Sequence, residues 1–391
     1  MNQPGNGKFW ADNLIYGLAT AGAGVFNWLY AIVLAHGVGP VWYGGVSTLN
    51  NVVAIMTLPA SVITLAAIRR GKPAKSLWRW RAAYGASGMV LWAILAGLAR
   101  FLSQTFHVAP GLFLLFGLSS WPVIDFAANL GYLARARRYQ WLGGLTVAGS
   151  GLSVADVVIA IHLKNPVAAL GILQSLSVWA LWAVSVRLVA GLMVEPPASR
   201  RSIALSAGVG VVQGLTTLTD GVVAKARLAP EAAGLYNGLA TVGQAIPFAA
   251  ASLALVMLTA MLENPGGRKR WLRWTLAVYL ALGLGLESLF LAVPHAVVQS
   301  VLGARFDPVV PWLAVYGVGM LALGTVLIFL AEAIARGWWA LLAAAVAGMV
   351  LWVALLLRAQ GLGGLVHATA LSLLFTAIGI VVLRTYFSAA P

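Results

Sequence analysis

Long apolar runs, broken by short basic or Pro/Gly-rich stretches, set the pattern of this chain. Reading the runs between their breaks predicts twelve membrane-spanning helices, at about 10–35, 46–68, 80–101, 110–134, 142–163, 167–192, 202–224, 232–262, 272–293, 309–335, 340–357 and 364–385. Runs of about 20 residues are long enough to cross a ~30 Å hydrocarbon core as helices, and the alternating ten-residue segments of an outer-membrane barrel are absent. The breaks differ in charge. With the N-terminus placed inside, nineteen of the 25 Lys and Arg fall on cytoplasmic segments, including six between 69 and 81, Arg135, Arg137, Arg138, Arg187 and four between 268 and 273. Cytoplasmic loops carry the basic excess, so both termini are expected in the cytoplasm and the chain in the inner, cytoplasmic membrane. The first apolar run is too long for a signal peptide and reads as span 1.

A shift of 190 residues lays 30–57 on 220–247, with Pro40 on Pro230, Gly44 on Gly234, Leu49 on Leu239 and Val52 on Val242. Two halves built alike are therefore expected: residues 1–194 with spans 1–6, a cytoplasmic linker at 195–202 (EPPASRRS), and residues 203–391 with spans 7–12. Pro59 and Pro247 occupy near-equivalent places in the repeat, and each should bend its helix by removing a backbone hydrogen bond. Asp307-Pro308 reads as an N-cap followed by proline at the first helical position, which would start span 10 there.

Composition adds exclusions. Of the 391 residues 61% are hydrophobic and only 9% charged, against roughly a quarter charged in soluble domains, and the mean hydropathy is +0.90. The net charge of +15 lies in loops rather than on one helix face, which argues for membrane orientation and against nucleic acid. With no cysteine there is no disulfide or thiolate chemistry. The five histidines (His36, His107, His162, His295 and His367) all fall near the outer face and form no cluster at metal-ligand spacing. GLGG at 361–364 follows no strand, so it is not a dinucleotide fingerprint. No cofactor, metal centre or enzymatic activity is expected.

Four stretches carry a resemblance to a known family. They are L-x-x-x-x-G-P-x-x-Y-G around Gly39-Pro40 and Tyr43-Gly44, D-x(13)-G-L-Y-N-G-L-A from Asp220 to Ala240, VVQSVLGARFDPVVPWL at 297–313, and RAQGLGGLVHATALS at 358–372. In this order they resemble the first outer loop, the span 7 to span 8 segment, the loop before span 10 and the start of span 12 of oligosaccharide flippases in the multidrug/oligosaccharidyl-lipid/polysaccharide (MOP) exporter superfamily. The resemblance implies an all-α polytopic membrane protein of about twelve helices in two pseudo-symmetric six-helix lobes, as in MATE transporters, with spans 1, 2, 7 and 8 facing a central cavity and alternating access. Two departures favour a polysaccharide-type member: Gly221, not a basic residue, follows Asp220, and the chain has twelve spans rather than fourteen.

Polar stripes on those four spans agree. Asn13, Thr20 and Asn27 recur every seven residues on span 1, and span 2 offers Ser47 or Thr48 with Asn51. Gln213, Thr217, Asp220 and Arg227 lie within about 80° of one another on span 7 at ~100° per residue, and span 8 adds Asn237, Thr241 and Gln244. Ser and Thr stripes also serve as glue between helices. Asp220 is different, because charge at membrane depth demands water or an ion partner, and Lys225 and Arg227 are the nearest cations. Asp125, Asp156 and Glu287 have no partner nearby in sequence and join Asp220 as candidate ion-coupling sites. Glu332 and Arg336 read as a structural i, i+4 pair.

The function implied is translocation of a polyprenyl-diphosphate-linked oligosaccharide from the cytoplasmic to the outer leaflet, for cell-surface polysaccharide biosynthesis. On this reading Lys8, Arg200 and Arg201 capture the head group at the cytoplasmic mouth. Lys225, Arg227 and Arg187 hold its diphosphate, since cations suit that group. Thr20, Asn27, Asn51, Gln213, Thr217, Asn237, Thr241 and Gln244 contact sugar hydroxyls. Expected partners are the lipid-linked oligosaccharide, membrane lipids, and Na⁺ or H⁺ as coupling ion, with the chain monomeric. The alternative is a cation-coupled multidrug exporter of the same superfamily. A remote alternative is a membrane glycosyltransferase or polymerase, which would need a large outer loop that the chain lacks.

Overall fold

The computed structural model describes residues 6–69, 77–190, 192 and 200–389, without the side chains of 6–14, 61, 65–66, 68–69, 77–80, 200–203, 255, 259, 263 and 388–389. Lys8, Arg200 and Arg201, expected to capture the head group, thus have side chains outside the described residues, and so does most of the linker. Among the described residues every regular element is helical. In order these are α1 (Asn6–Met56), α2 (Pro59–Arg69), α3 (Leu77–Phe106), α4 (Pro110–Gly117), α5 (Ser120–Arg135), α6 (Tyr139–Ala160), α7 (Pro166–Val189), α8 (Arg200–Arg227), α9 (Pro230–Gly243), α10 (Ala245–Glu263), α11 (Arg268–Ala292), α12 (Pro294–Val301), α13 (Leu313–Arg336), α14 (Trp339–Arg358) and α15 (Gly361–Ala389), with 3₁₀ turns at Pro265–Gly267 and Ala304–Trp312.

Each of the twelve predicted spans falls on helix, yet several are built from pieces. Ten segments among the described residues are long and apolar enough to cross a membrane. Spans 1 and 2 merge in the first of these, which ends at Met56, and span 7 (α8) is not among the ten. Three local expectations change. The outer loop at 39–44 is not a loop: the helical path breaks only at Gly39 (φ 71°, ψ 174°) and resumes at Pro40, a backbone conformation glycine adopts without penalty. Pro59 and Pro247 do mark bends, each in the first turn of a new segment after an interruption at Thr57-Leu58 and at Gln244. Span 10 starts late. Pro308 and Pro311 lie inside a 3₁₀ stretch, the Asp307 carboxylate accepts from Gln299 Nε2 at 3.0 and 3.1 Å, and α13 begins only at Leu313.

The chain divides into two compact units, residues 1–37 with 52–207, and 38–51 with 208–391. In the first, α5 packs against α2, α3, α6 and α7, and α6 pairs with α7. A core of Ala128, Tyr132, Leu133, Leu142, Leu145, Leu181 and Val189 forms among them, and Ala19 of α1 sits against Gly143 of α6. In the second, α13 packs against α10, α11, α14 and α15, and α14 pairs with α15. Seventeen of the 24 residues of α13 are buried, and Leu342 of α14 sits against Gly208 of α8. The neighbours of α5 and of α13 correspond under the repeat, α2 with α10, α3 with α11, α6 with α14 and α7 with α15. That is the internal duplication the 190-residue shift suggested, now visible in packing as well as in a few identities.

The second unit also holds the second stretch of α1. Gly44 lies so close to Gly234 of α9 that a Cβ on Gly44 would stand 2.7 Å from the Gly234 Cα, and a Cβ on Gly234 would strike the Pro40 carbonyl. These glycines are there for close backbone approach. Ser47 Oγ donates to Asn237 Oδ1 at 2.9 Å, and Tyr43 Oη bonds Thr241 Oγ1 at 2.6 Å. Gly44 with Gly234 and Ser47 with Asn237 are partners under the repeat, so the two helices meet at corresponding residues.

Candidate transport site

Local sequence explains the polar centre of the second unit. The run GLYNG on α9 places Tyr236 and Asn237 side by side, so they project about 100° apart. Tyr236 points toward α8 and α15, and Asn237 toward the second stretch of α1. Asn237 Nδ2 donates to the carbonyls of Ala233 at 2.9 Å and Gly221 at 3.4 Å while its Oδ1 accepts from Ser47. Asn51 Nδ2 lies over Gly221. Gln244 Nε2 donates to the Thr217 carbonyl at 2.8 Å, and the Thr217 hydroxyl turns back to its own helix at Gln213. Thus Asn51, Gln213, Thr217, Asn237, Thr241 and Gln244, predicted as one polar lining, are gathered within one unit.

Asp220 lies at the heart of this group and is 2% exposed. It is not paired with Lys225 or Arg227, as spacing suggested. Tyr316 Oη of α13 donates to Asp220 Oδ2 at 2.6 Å, Tyr236 Oη donates to the same oxygen at 3.3 Å, and the Gly221 N–H donates to Oδ1 at 2.8 Å. Tyr236 Oη also bonds Thr369 Oγ1 at 3.0 Å, which accepts from Trp352 Nε1 at 3.4 Å. Hydroxyl and amide donors therefore take the place of a cation, which is how a buried acceptor avoids an unmet hydrogen bond. Tyr316 and Trp352 were missed because each is isolated in an apolar span, and Thr369, though inside the quoted stretch 358–372, carries no signal beyond that of any Thr in a spanning helix. Tyr236 lies inside a quoted motif and was legible as a polar ring at membrane depth.

The cations separate. Lys225 is 4% exposed, and among the described residues no carboxylate oxygen lies within 4.0 Å of it. Arg227 is exposed, as is Arg187 at the end of α7. Asn27 is also exposed, and Thr20 donates to its own Tyr16 carbonyl at 2.8 Å. Thr20 and Asn27 are therefore not gathered into one polar group as the predicted residues of the second unit are.

The remaining acids divide by their partners. Asp125 accepts from Trp182 Nε1 at 2.7 Å and lies 4.0 Å from Arg81, which also donates to Asn129 at 3.3 Å. Arg81, assigned to a cytoplasmic loop by charge counting, is instead part of α3 and reaches inward. Asp156 accepts from Ser177 at 3.1 Å. Glu332, fully buried, accepts from Arg336 at 2.8 Å and from Arg384 at 3.1 Å, so the expected pair is a triad. Glu287 has both carboxyl oxygens buried and unbonded. The five histidines are exposed, and no group of three or more metal-ligating side chains occurs among the described residues.

With this geometry in view, comparison with solved structures gives one consistent answer. The chain superposes on the MATE multidrug transporter DinF-BH with a TM-score of 0.70 at 14% identity, covering 97% of this chain and 95% of that one. The lipid II flippase MurJ, in an inward closed conformation, gives 0.68 at 12% identity over 95% and 87%. A MOP superfamily transporter from Pyrococcus furiosus gives 0.65 at 13% over 96% and 94%. The chain has the fold of MOP superfamily transporters. No family model matches the sequence, and neither does any curated protein. These MOP-fold neighbours are transporters, and the ten apolar segments make the chain a multi-pass membrane protein.

Proposed function

We propose that this MOP-fold protein is a flippase that moves a polyprenyl-diphosphate-linked oligosaccharide from the cytoplasmic to the outer leaflet of the cell membrane by alternating access, for cell-surface polysaccharide synthesis. Lys225 carries the reading. A lysine only 4% exposed, with no carboxylate beside it among the described residues, is a costly arrangement in a membrane, and an anionic head group is the ligand that would relieve it. The acid of the same helix, Asp220, is already engaged by Tyr316, Tyr236 and Gly221, which leaves the centre without a free carboxylate for a cationic drug. Asn51, Thr241 and Gln244, which are half-buried, suit sugar hydroxyls, because amides and hydroxyls both donate and accept, whereas Asn237 is 2% exposed with its amide already engaged. In this reading Arg227, Arg187, Lys8, Arg200 and Arg201 serve as outlying cations along the path, both termini are cytoplasmic, and the chain works as a monomer.

The test is binding by native mass spectrometry, with undecaprenyl diphosphate, undecaprenol and a cationic rhodamine dye as probes. Retention of the diphosphate, its loss in Lys225→Ala and weak dye binding would support the proposal. Preferential dye binding that Lys225→Ala leaves unchanged would overturn it in favour of a multidrug exporter.

A further inference from the structure

The buried face of α11 is Leu272, Thr275, Tyr279, Gly283, Glu287 and Phe290, a three-to-four spacing that turns one stripe of the helix into the protein. Five of these are what a helix interface needs. Glu287 is not. It is 6% exposed, and its carboxylate fills the space left by the missing side chain of Gly317 on α13. Neither of its oxygens meets a hydrogen-bond donor. Asp125 and Asp156 each leave one oxygen unbonded but bind through the other. Among the described acids with buried oxygens, Glu287 alone has no partner at either.

The surroundings supply no charge. On its own helix Tyr279, two turns away, donates to the Leu321 carbonyl at 2.8 Å, and the cations from Arg268 to Arg273 lie at the other end. On α13, Glu332 and Arg336 are more than three turns distant and paired with each other. On α12, His295 is exposed, and in the adjoining 3₁₀ stretch Asp307 is taken by Gln299 while the Arg305 side chain lies against Gly39. The middle of α10 carries no titratable residue, and its Glu263 sits at the opposite end. A metal cation would need several ligands, and no group of three or more His, Asp or Glu side chains that could hold one occurs among the described residues.

We propose that Glu287 is a proton-binding site: packing of α11 on α13 holds a proton on this carboxyl, and losing that proton to water drives the two helices apart at Gly317. An ionised carboxylate here would have neither water nor a donor, an arrangement that proteins resolve by neutralising the group. An acid kept at such a cost inside the membrane marks a proton path more often than a structural role. Its position gives it leverage. Tyr316, next to Gly317, holds Asp220 at 2.6 Å, so α13 has Glu287 against one side and the polar centre on the other. The inference concerns the driving ion and holds whichever cargo is carried.

Two measurements test it. Infrared spectra of protein labelled with ¹³C-glutamate, taken at neutral pH, should show a neutral-carboxyl stretch in the native protein that disappears in Glu287→Gln. Thermal unfolding across a pH series should then separate proton binding from simple packing. The native protein holds the proton when folded and releases it when unfolded, so its stability should fall as pH rises through the carboxyl range. Glu287→Gln and Glu287→Met should lose that slope, and Glu287→Met should match or exceed native stability at the alkaline end. A native spectrum without a Glu287-dependent neutral-carboxyl band, or a pH slope that both variants retain, would overturn the proposal.

Discussion

Replacing Gly234 by alanine tests whether the contact between the second stretch of α1 and α9 holds as described. The new methyl has no free space: it points at the Pro40 carbonyl and lies near the Pro40 Cα at 3.1 Å. Backbone cannot rotate aside as a side chain can, so the helices must separate. Overpacking of this kind costs about 1–3 kcal/mol, and the Tyr43 to Thr241 bond lost with it adds about 0.6 kcal/mol at membrane depth. Together these lower the population of the contact roughly 10- to 400-fold, at tenfold per 1.4 kcal/mol.

The chain's lack of cysteine provides the assay. A Ser47→Cys/Asn237→Cys pair, placed where the native side chains stand 2.9 Å apart, should form a disulfide readily under mild oxidation. Adding Gly234→Ala should slow that reaction by the factor above, and Gly44→Ala should act alike because its Cβ would meet Gly234 backbone at 2.7 and 2.9 Å. Gly24→Ala, at a position with nothing within 4 Å, should leave the rate unchanged. Equal cross-linking in all three backgrounds would show that the helices do not depend on glycine at the crossing.

Two further substitutions read the polar interior. Tyr316→Phe removes the shortest bond to Asp220 and should cost about 1–3 kcal/mol, the penalty for leaving a buried acceptor short of a donor; it should lower the melting temperature more than Tyr236→Phe, whose bond to Asp220 is 3.3 Å. Glu332→Ala leaves Arg336 and Arg384 facing each other without their shared carboxylate and should cost about 3–5 kcal/mol. Arg336→Ala should cost less, because Arg384 still holds the acid at 3.1 Å. Fluorescence-detected unfolding in detergent checks both.

The parts of this protein that were legible beforehand are those that follow from local pattern. Spans are apolar runs of a length the bilayer sets, so an all-helical membrane fold could be anticipated, and the places of the expected spans fall on helix. Pro59 and Pro247 announced their bends by chemistry that acts within one turn. What stayed hidden depends on residues far apart in the chain. Arg81 counts as a loop charge until α3 is seen to bring it to Asp125. Asp220 appeared to need Lys225 or Arg227, because a helix shows only its own neighbours, whereas its donors come from α9 and α13. Gly39 misled in another way. Gly-Pro usually reads as a turn, yet here a single residue with positive φ breaks the helix and the next turn resumes it.

The same contrast sharpens what the repeat means. The 190-residue shift matched Gly44 with Gly234 and Pro40 with Pro230, and chance identities in apolar sequence would have produced no spatial consequence. In the folded chain the matched glycines touch each other, and so do Ser47 and Asn237. Duplicated helices that meet at equivalent residues each supply half of a shared surface. The polar groups break this equivalence. Tyr30, which corresponds to Asp220, accepts a bond from Gln174 at 3.2 Å, while Asp220 gathers two tyrosines, and Lys225 and Glu287 have no charged counterpart at 35 and 97. Duplication therefore accounts for the scaffold, and the charged residues on α8 and α11 are where the second unit departs from it, which makes them the place to look for cargo and ion selectivity.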